Sequence, residues 1–520
     1  MTTPAILAEL DDDARNRRFE RLQERLGPVW EAMGRDVDDE SVVVVPSVPP
    51  SRAATASGSL AQSYEERFLF LLLLLRQPRL RMIYVTSMTV DPRIIEYYLA
   101  LLPGVIPSHA LARLSMISVG DSSPRSLSEK LLARPRLLAK IAALIPNRAH
   151  SHVIPYNTTG LERDICLSLG IPMYGADPRL APLGSKSGCR RLFREVGVPH
   201  PLGREDLHGL DEVVAAIGDL MAERPGLRQV IVKHNEGVSG TGNAVVDLDG
   251  IAALPEPERG AAIAGRVHEM RLESPDTSFE KYVAVLESDG GIVEERIVGE
   301  ELVSPSVQLR ALPGGTVELL STHDQLLGGA SGQSYEGCVF PADPAYSRLS
   351  AEPAMAIGER LAEKGVLGRF AVDFVVVRDA AGGWSAYAIE VNLRKGGTTH
   401  PFLTLRFLTD GRYDANAGRF LTPDGAEKHL VATDHLEAAE LRALSVGDLF
   451  DVSARQGLHF DQSRQVGVVF HMISAITEHG RVGMTAVGDT PAHAMELFEH
   501  ARDVLIEEAR AGGIAGPLPD

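Results

Sequence analysis

Four short apolar runs, separated by amphipathic stretches, follow a charged N-terminal segment: SVVVV from residue 41, RMIYVTSM from 81, RLSMISVGD from 113 and HVIPYN from 152. The first is β-branched and fully apolar, the second reads as buried, and the other two read as further strands. The stretches between them repeat apolar residues at helical spacing. One helix runs through the apolar segment ending at Leu75 and is stopped by Pro78. A second, DPRIIEYYLALLPG, has Asp91 to cap it and Pro92 at its first position, and a third is TTGLERDICLSLG. Strands alternating with helices imply crossover connections and a mostly parallel sheet, so residues 41–178 read as an α/β domain. The charged residues 1–40 read as a helical N-terminal arm.

The pattern then changes. From about 228 to 392 the chain reads as strands joined by hairpin turns: RQVIVKH, NAVVDL, SFEKYVAVL, GIVEERIV, SPSVQLRAL, TVELLSTHD, GRFAVDFVVVR and WSAYAIEVNLR. Helices over 211–223, 256–272 and 353–364 interrupt them. Antiparallel strands with segregated helices make an α+β domain, distinct from the first. The tail, 425–515, reads as a small α+β unit with the strand GVVFHMISAI, a hairpin through GRVGMTAVGD and a final helix after Thr490.

Composition narrows the function classes. The 520 residues carry 52 basic and 70 acidic side chains, a net charge of -18, which argues against a general binder of nucleic acid or anionic membrane. Cys166, Cys189 and Cys338 are sparse and lack CxxC spacing, so neither a disulfide framework nor a zinc site is expected, and a reducing cytoplasm suits them. The N-terminus is charged and has no apolar core of a secretory signal. The most apolar run, FLFLLLLL over 68–75 between Arg67 and Arg76, is far shorter than the roughly 20 residues of a membrane span, and reads as a buried helix. A cytoplasmic location is the expectation.

The segment FAVDFVVVRDAAGGWSAYAIEVNLR carries the strongest chemical signal. Two apolar runs flank the turn residues 379–383. If Arg378 pairs with Ser385, the same register sets Asp373 opposite Glu390. Period-two alternation then puts Glu390 and Asn392 on one face. Two facing carboxylates repel unless a cation lies between them, and oxygen-only ligands suit Mg²⁺. The competing reading is a solvated polar face.

In RQVIVKHNEGVSGTGNAVVD a strand delivers Lys233 to a loop holding Gly237, Ser239, Gly240 and Gly242. Glycines let backbone N–H groups approach phosphates closely. Alone, this is equally an ordinary glycine-rich hairpin. Lys186, in GSKSGCRRLFREVGVP, stands at a helix start, where a lysine opposes the macrodipole and a nearby anion would rationalise it. Around GIVEERIVGEELV, Glu295, Glu300 and Glu301 are candidates for ribose or adenine contacts, against the alternative of solvent-facing charge. In SPSVQLRAL, Gln308 and Arg310 share a face. His400, in GGTTHP, is a candidate for substrate or phosphate contact, and His471 reads as a core-edge residue.

Taken in order, these elements resemble the ATP-grasp superfamily: Lys186 before a helix ending in GVPHP, Lys233 before the glycine loop, an acidic hinge at VEERIVGEE, Asp373, and the pair Glu390-x-Asn392 within EVNLRKGGTTHP. More narrowly, IPYNTTGLERDICLSLGIPMYGADP, SPSVQLRALPGG and GVVFHMISAI look like the peptide ligases of the pheganomycin-biosynthesis type. The resemblance implies a pre-ATP-grasp domain over 41–178, an ATP-grasp fold over 179–410 and the family's C-terminal domain over 425–515. It implies Mg-ATP, with Asp373, Glu390 and Asn392 at the metal, Lys186, Lys233, Gly237, Ser239, Gly240, Gly242, Glu295 and Glu301 at the nucleotide, and Arg394 first and Arg310 second at the transferring phosphoryl group. The implied reaction joins a small-molecule carboxylate to an amine or peptide through an acylphosphate, releasing ADP and phosphate. Proteins of the architecture this chain resembles often form homodimers, and its own oligomeric state stays open.

Other ATP-grasp chemistry (a carboxylase or a kinase) and a non-catalytic ATP-binding regulator are the alternatives. A dinucleotide oxidoreductase is weaker, because SVGDSSPRSLSEK lacks the glycine spacing a pyrophosphate requires.

Overall fold

A computed structural model describes residues 7, 9–34, 40–48, 59–102, 104–237, 240, 242–274, 277–328 and 334–512. The four N-terminal apolar runs are strands β1 (Ser41–Val45), β2 (Arg81–Thr86), β3 (Leu114–Ser118) and β4 (Ser151–Pro155), in the order β3-β2-β1-β4. Every pairing is parallel. Asp91 caps its helix by accepting from Arg93 N–H, and Thr159 forms a reciprocal capping box with Glu162.

The alternation of side chains splits β1 and β2 between two cores. Val43, Val45, Ile83 and Val85 pack with Phe19 of the N-terminal arm and Ile165 of the helix Gly160–Leu169. Val42, Val44, Met82 and Tyr84 pack on the other face with the 68–75 run and with Leu430, Val468 and Met484 from the tail. The 68–75 run is buried as expected, but its turns are 3₁₀ over Leu69–Arg76, following a separate α-helix Ser59–Glu66.

A second, five-stranded sheet is antiparallel, in the order β5-β9-β6-β7-β8. Its strands are β5 (Gly203–Leu207), β6 (Gln229–His234), β7 (Asn243–Asp247), β8 (Arg271–Leu272) and β9 (Gly291–Glu295). The segment SFEKYVAVL, expected as a strand, is instead the helix Phe279–Asp289. Ser278 caps it, and Tyr282 and Leu286, four residues apart, bury one side. β5, with the sequence GREDL, shows no apolar alternation and was not legible.

The remaining strands are β10 (Glu301–Val303), β11 (Pro305–Ala311), β12 (Val317–Gly328), β13 (Ser334–Phe340), β14 (Gly368–Arg378), β15 (Trp384–Asn392), the ribbon β16 (Arg412–Asp414) and β17 (Arg419–Leu421), then β18 (His429–Glu437), β19 (Gly467–His471) and β20 (Arg481–Gly488). Nine of them form one sheet. β14 carries β15 on one side and both β10 and β11 on the other, and the sheet continues through β12, β13, β18 and β20 to β19. Strands of the tail therefore extend the sheet begun in the preceding region. The helix expected over 353–364 starts earlier, spanning Pro344–Glu363 with Asp343 as cap and Pro353 inside it.

Candidate active site

A cleft of about 290 Å³ opens between the five-stranded and nine-stranded sheets. The β14–β15 hairpin supplies its floor. Arg378 pairs with Trp384, one residue out of the expected register, and a bulge between Asp373 and Phe374 corrects the offset so that Asp373 does face Glu390. Were the register unbroken, Asp373 would face Ile389 and Glu390 would point to the opposite face. Asn392 donates to Asp373 at 2.9 Å. Burial first, and then the charge of Glu390, push the Asp373 carboxyl up to about 6. Two carboxylates and an amide thus converge as oxygen donors on one floor, which fits a hard cation such as Mg²⁺.

Two lysines bracket this floor. Ser185 caps the helix Lys186–Val196 and leaves Lys186 at its first turn. The anion that rationalises this lysine is Glu390, 2.6 Å from Nζ. Burial opposes its charge, but Glu390 outweighs burial and holds the ammonium above its ordinary range. Lys233, at the end of β6, lies 2.5 Å from Glu294 on the adjacent strand β9. Arg190 reaches the same glutamate at 3.2 Å. Glu294 was not singled out in the sequence, because adjacent acids in VEER give no sign of which one turns inward.

Gly237 and Gly240 line the cleft, and Gly240 adopts φ +77°, which favours glycine. Gly242 lies behind them; a Cβ there would meet His234 at 3.1 Å. Ser239 lies outside the described residues. Glu295 reaches the cleft at the end of β9, accepts from Leu202 N–H and pairs with Arg224. Ile297 and Leu302 add apolar lining to the cleft.

Glu301 is placed elsewhere. It precedes Leu302 on β10, so the period-two alternation turns it outward, where it lies 3.6 Å from Arg378. Glu300 is likewise exposed.

Arg310 does not reach the cleft either. The register of β11 on β12 shifts between Gln308 and Leu309. Gln308 stays in the cleft, where Thr399 donates to it at 3.0 Å. Arg310 instead pairs with Glu318 and lies over the Trp30 ring of the N-terminal arm. Arg394 is in the cleft, donating to Lys395 O at 3.2 Å and packing over Tyr156.

Beyond Arg394 the cleft continues to residues that carried no motif: Arg67, Tyr335, Asp434 and His435. Asp434 interrupts the apolar alternation of β18 and Arg67 abuts the apolar 68–75 run. A charge set inside an apolar run is the signal that would have found both. His400 and His471 are both buried, with their Nε2 atoms 3.0 Å apart and within 3.2 Å of Asp434.

Residues 178–266 and 261–416 match the family described as IQCH-like, ATP-grasp, and residues 448–500 match the PGM1 C-terminal domain. The chain is 29% identical over 463 residues to an L-propargylglycine–L-glutamate ligase of Streptantibioticus cattleyicolor, covering 87% of this chain and 90% of that one. It is 22% identical over 490 residues to IQ motif-containing protein H of Danio rerio, covering 85% of this chain and 46% of that one. Among solved structures, the ADP complex of N5-carboxyaminoimidazole ribonucleotide synthetase superposes with a TM-score of 0.51 at 12% identity, over 91% of this chain and 98% of that one. Biotin carboxylase from Campylobacter jejuni gives 0.51 at 13% identity, over 91% and 95%. At these identities the structural likenesses speak for the fold.

Proposed function

We propose that this chain, an ATP-grasp protein by sequence and by fold, is a ligase that joins a carboxylate to an amine at the expense of ATP. The observation that carries the reading is the convergence of Asp373, Glu390 and Asn392 on one floor, with Lys186 and Lys233 beside it and Arg394 at its inner edge. The similarity to a ligase over 87% of the chain supports the amide-forming class over other ATP-grasp chemistry. Asp373, Glu390 and Asn392 would hold Mg²⁺, which when bound neutralises charge on the nucleotide phosphates.

The protein's part is positioning and charge. Lys186 and Lys233 exchange their glutamate partners for phosphate oxygens, and the glycine loop presents backbone N–H groups to them. Glu295 and the apolar Ile297 and Leu302 take the nucleoside. The substrate carboxylate attacks the γ-phosphorus, the bond to the ADP oxygen breaks, and an acylphosphate forms. The amine then attacks the acyl carbon, loses a proton, and phosphate departs. Arg394 places its guanidinium beside the charge that develops on the transferring phosphoryl group. Hinge contacts are assigned to Glu295 rather than Glu301, and no phosphoryl role is assigned to Arg310.

We further propose small-molecule substrates, a cytoplasmic location and a homodimeric assembly, the last to be checked by sedimentation. No helix among the described residues is long and apolar enough to cross a membrane.

The test is Mg-ATP turnover against a panel of amino acids and short peptides, read by ADP and phosphate release and by mass spectrometry of the products. Amide formed together with ADP and phosphate is the expected result. A phosphorylated product would make the protein a kinase, and bicarbonate-dependent turnover a carboxylase.

A further inference from the structure

Arg67 lies between the helix Ser59–Glu66 and the buried 3₁₀ segment, and lines the inner end of the cleft at 3% exposure. Its Nη1 donates to Asp434 Oδ2 at 2.6 Å. Its Nε and Nη2 have no hydrogen-bond partner among the described residues. These two atoms form one edge of the planar guanidinium, with parallel N–H bonds at the spacing of the two oxygens of a carboxylate. Buried charged donors without acceptors are costly, and native folds rarely keep them without a use.

The rest of the surroundings hold this edge in place. The guanidinium carbon lies 5.7 Å from the centre of the Tyr64 ring and 5.2 Å from that of Tyr156. Asp434, which fixes Nη1, is itself held on Oδ1 by His471 at 2.9 Å and lies 3.2 Å from His400. Arg481 donates to the backbone oxygen of Asp434 at 2.9 Å and to the Tyr64 hydroxyl at 3.1 Å. His400, His471 and Asp434 approach one another as metal ligands do. A cation there would have to share Asp434 with the guanidinium, and like charges so close in a buried site oppose one another. The trio is better matched to bracing Asp434, and through it Arg67. Burial pushes the pKa of His400 down to about 3, which favours its neutral form and is in keeping with that role.

Arg394 packs on the same Tyr156 ring, 5.8 Å from its centre. The free edge of Arg67 is thus one aromatic ring away from the guanidinium assigned to the phosphoryl group.

We propose that the Nε and Nη2 edge of Arg67 binds the carboxylate of an amino-acid or peptide substrate that does not react, making a second carboxylate a requirement beyond the reacting group. The inference rests on the ligase reading and names its substrate class: α-amino acids and peptides with a free carboxylate, rather than simple amines or monocarboxylic acids. Arg67 then sets which molecules are ligated, while the nucleotide end carries out the activation.

The test starts with wild-type enzyme, Mg-ATP and the twenty protein amino acids, supplied singly and in pairs alongside simple amines and monocarboxylic acids. Each amino acid that is ligated is compared with its carboxamide, in which only the non-reacting carboxyl is amidated. For one of the two substrates the carboxamide should lose roughly 10- to 100-fold in kcat/KM, mostly through KM, with the KM for ATP unchanged. Which substrate suffers the loss tells whether the donor or the acceptor is anchored.

Arg67→Lys keeps the charge towards Asp434 and removes the fork. It should weaken the acid by a similar factor and discriminate little between acid and carboxamide. Carboxamides used as well as acids by the wild-type enzyme, or ligation of simple amines to monocarboxylic acids alone, would overturn the Arg67 assignment and leave the ligase standing. Absence of any amide product would overturn the ligase reading itself. The wild-type comparison decides the matter even if the variant is too unstable to assay.

Discussion

The two ends of the cleft are charged in opposite styles. At the nucleotide end the charges are already matched within the protein: Lys186 with Glu390, Lys233 with Glu294, and Asp373 bonded to Asn392. At the inner end Arg67 is matched on one side only, by Asp434, and its other edge is left over. The first arrangement suits ligands that arrive together as a polyanion and a cation, since each side chain exchanges one opposite charge for another and none is stranded beforehand. The second suits a single anion that brings its own two oxygens. Internal pairing therefore marks residues that hand over partners, and a buried fork without a partner marks a residue waiting for one.

The largest effect should come from Glu390→Ala, which removes a carboxylate of the proposed metal site and strands Lys186. ATP turnover, followed by ADP release, should fall on the order of 1000-fold. Turnover near that of the wild type would take Glu390 out of the metal set and erase the contrast between the two ends.

At the inner end, Asp434→Ala leaves Arg67 without its buried counter-charge. A loss of about 3 kcal/mol in unfolding free energy is expected, measured by urea denaturation. A variant as stable as the wild type would mean that Asp434 does not brace Arg67.

Arg394→Ala should lower kcat by about 100-fold while ADP binding, measured by calorimetry, stays intact. Weakened ADP binding with unchanged kcat would move Arg394 to the nucleotide.

Glu65, next to the Arg67 segment, gives a smaller, pH-dependent signature. It accepts from Ser87 N–H and Oγ, both at 2.6 Å, and burial pushes its carboxyl from the ordinary 4.5 up to about 7. The folded protein then holds this proton where the unfolded chain has released it. Its contribution to stability is greatest below pH 4.5 and declines as pH rises towards about 7. Glu65→Gln should flatten that slope in melts across this range, and an unchanged slope would assign it to other groups.

Glu301→Ala, which disturbs only an exposed pair with Arg378, should leave turnover within about twofold of wild type. A large loss would restore Glu301 to the hinge.

Much of the nucleotide end is legible in the linear chain because its parts come in local groups: Lys233 at the end of an apolar run before glycines, and Asp373, Glu390 and Asn392 on two strands of one hairpin. Even there the expected register is one residue out at the turn, and only the bulge at Ile389 sets Asp373 against Glu390. Glu301 and Arg310 show the limit of the same reasoning. Period-two alternation tells which residues share a face but not whether the strand still borders the cleft, and Arg310 ends against Trp30.

Strand and turn signals act over a few residues, so the parallel α/β opening, the antiparallel strands that follow and the pairing of Asp373 with Glu390 could be read from the chain. The tertiary structure alone decided that tail strands β18, β20 and β19 extend the large sheet and share a core with the 68–75 run. It alone brought Arg67 to Asp434, 367 positions away. Pairing at that separation depends on how whole elements pack, and burial of two charges together has no periodicity for a linear pattern to display.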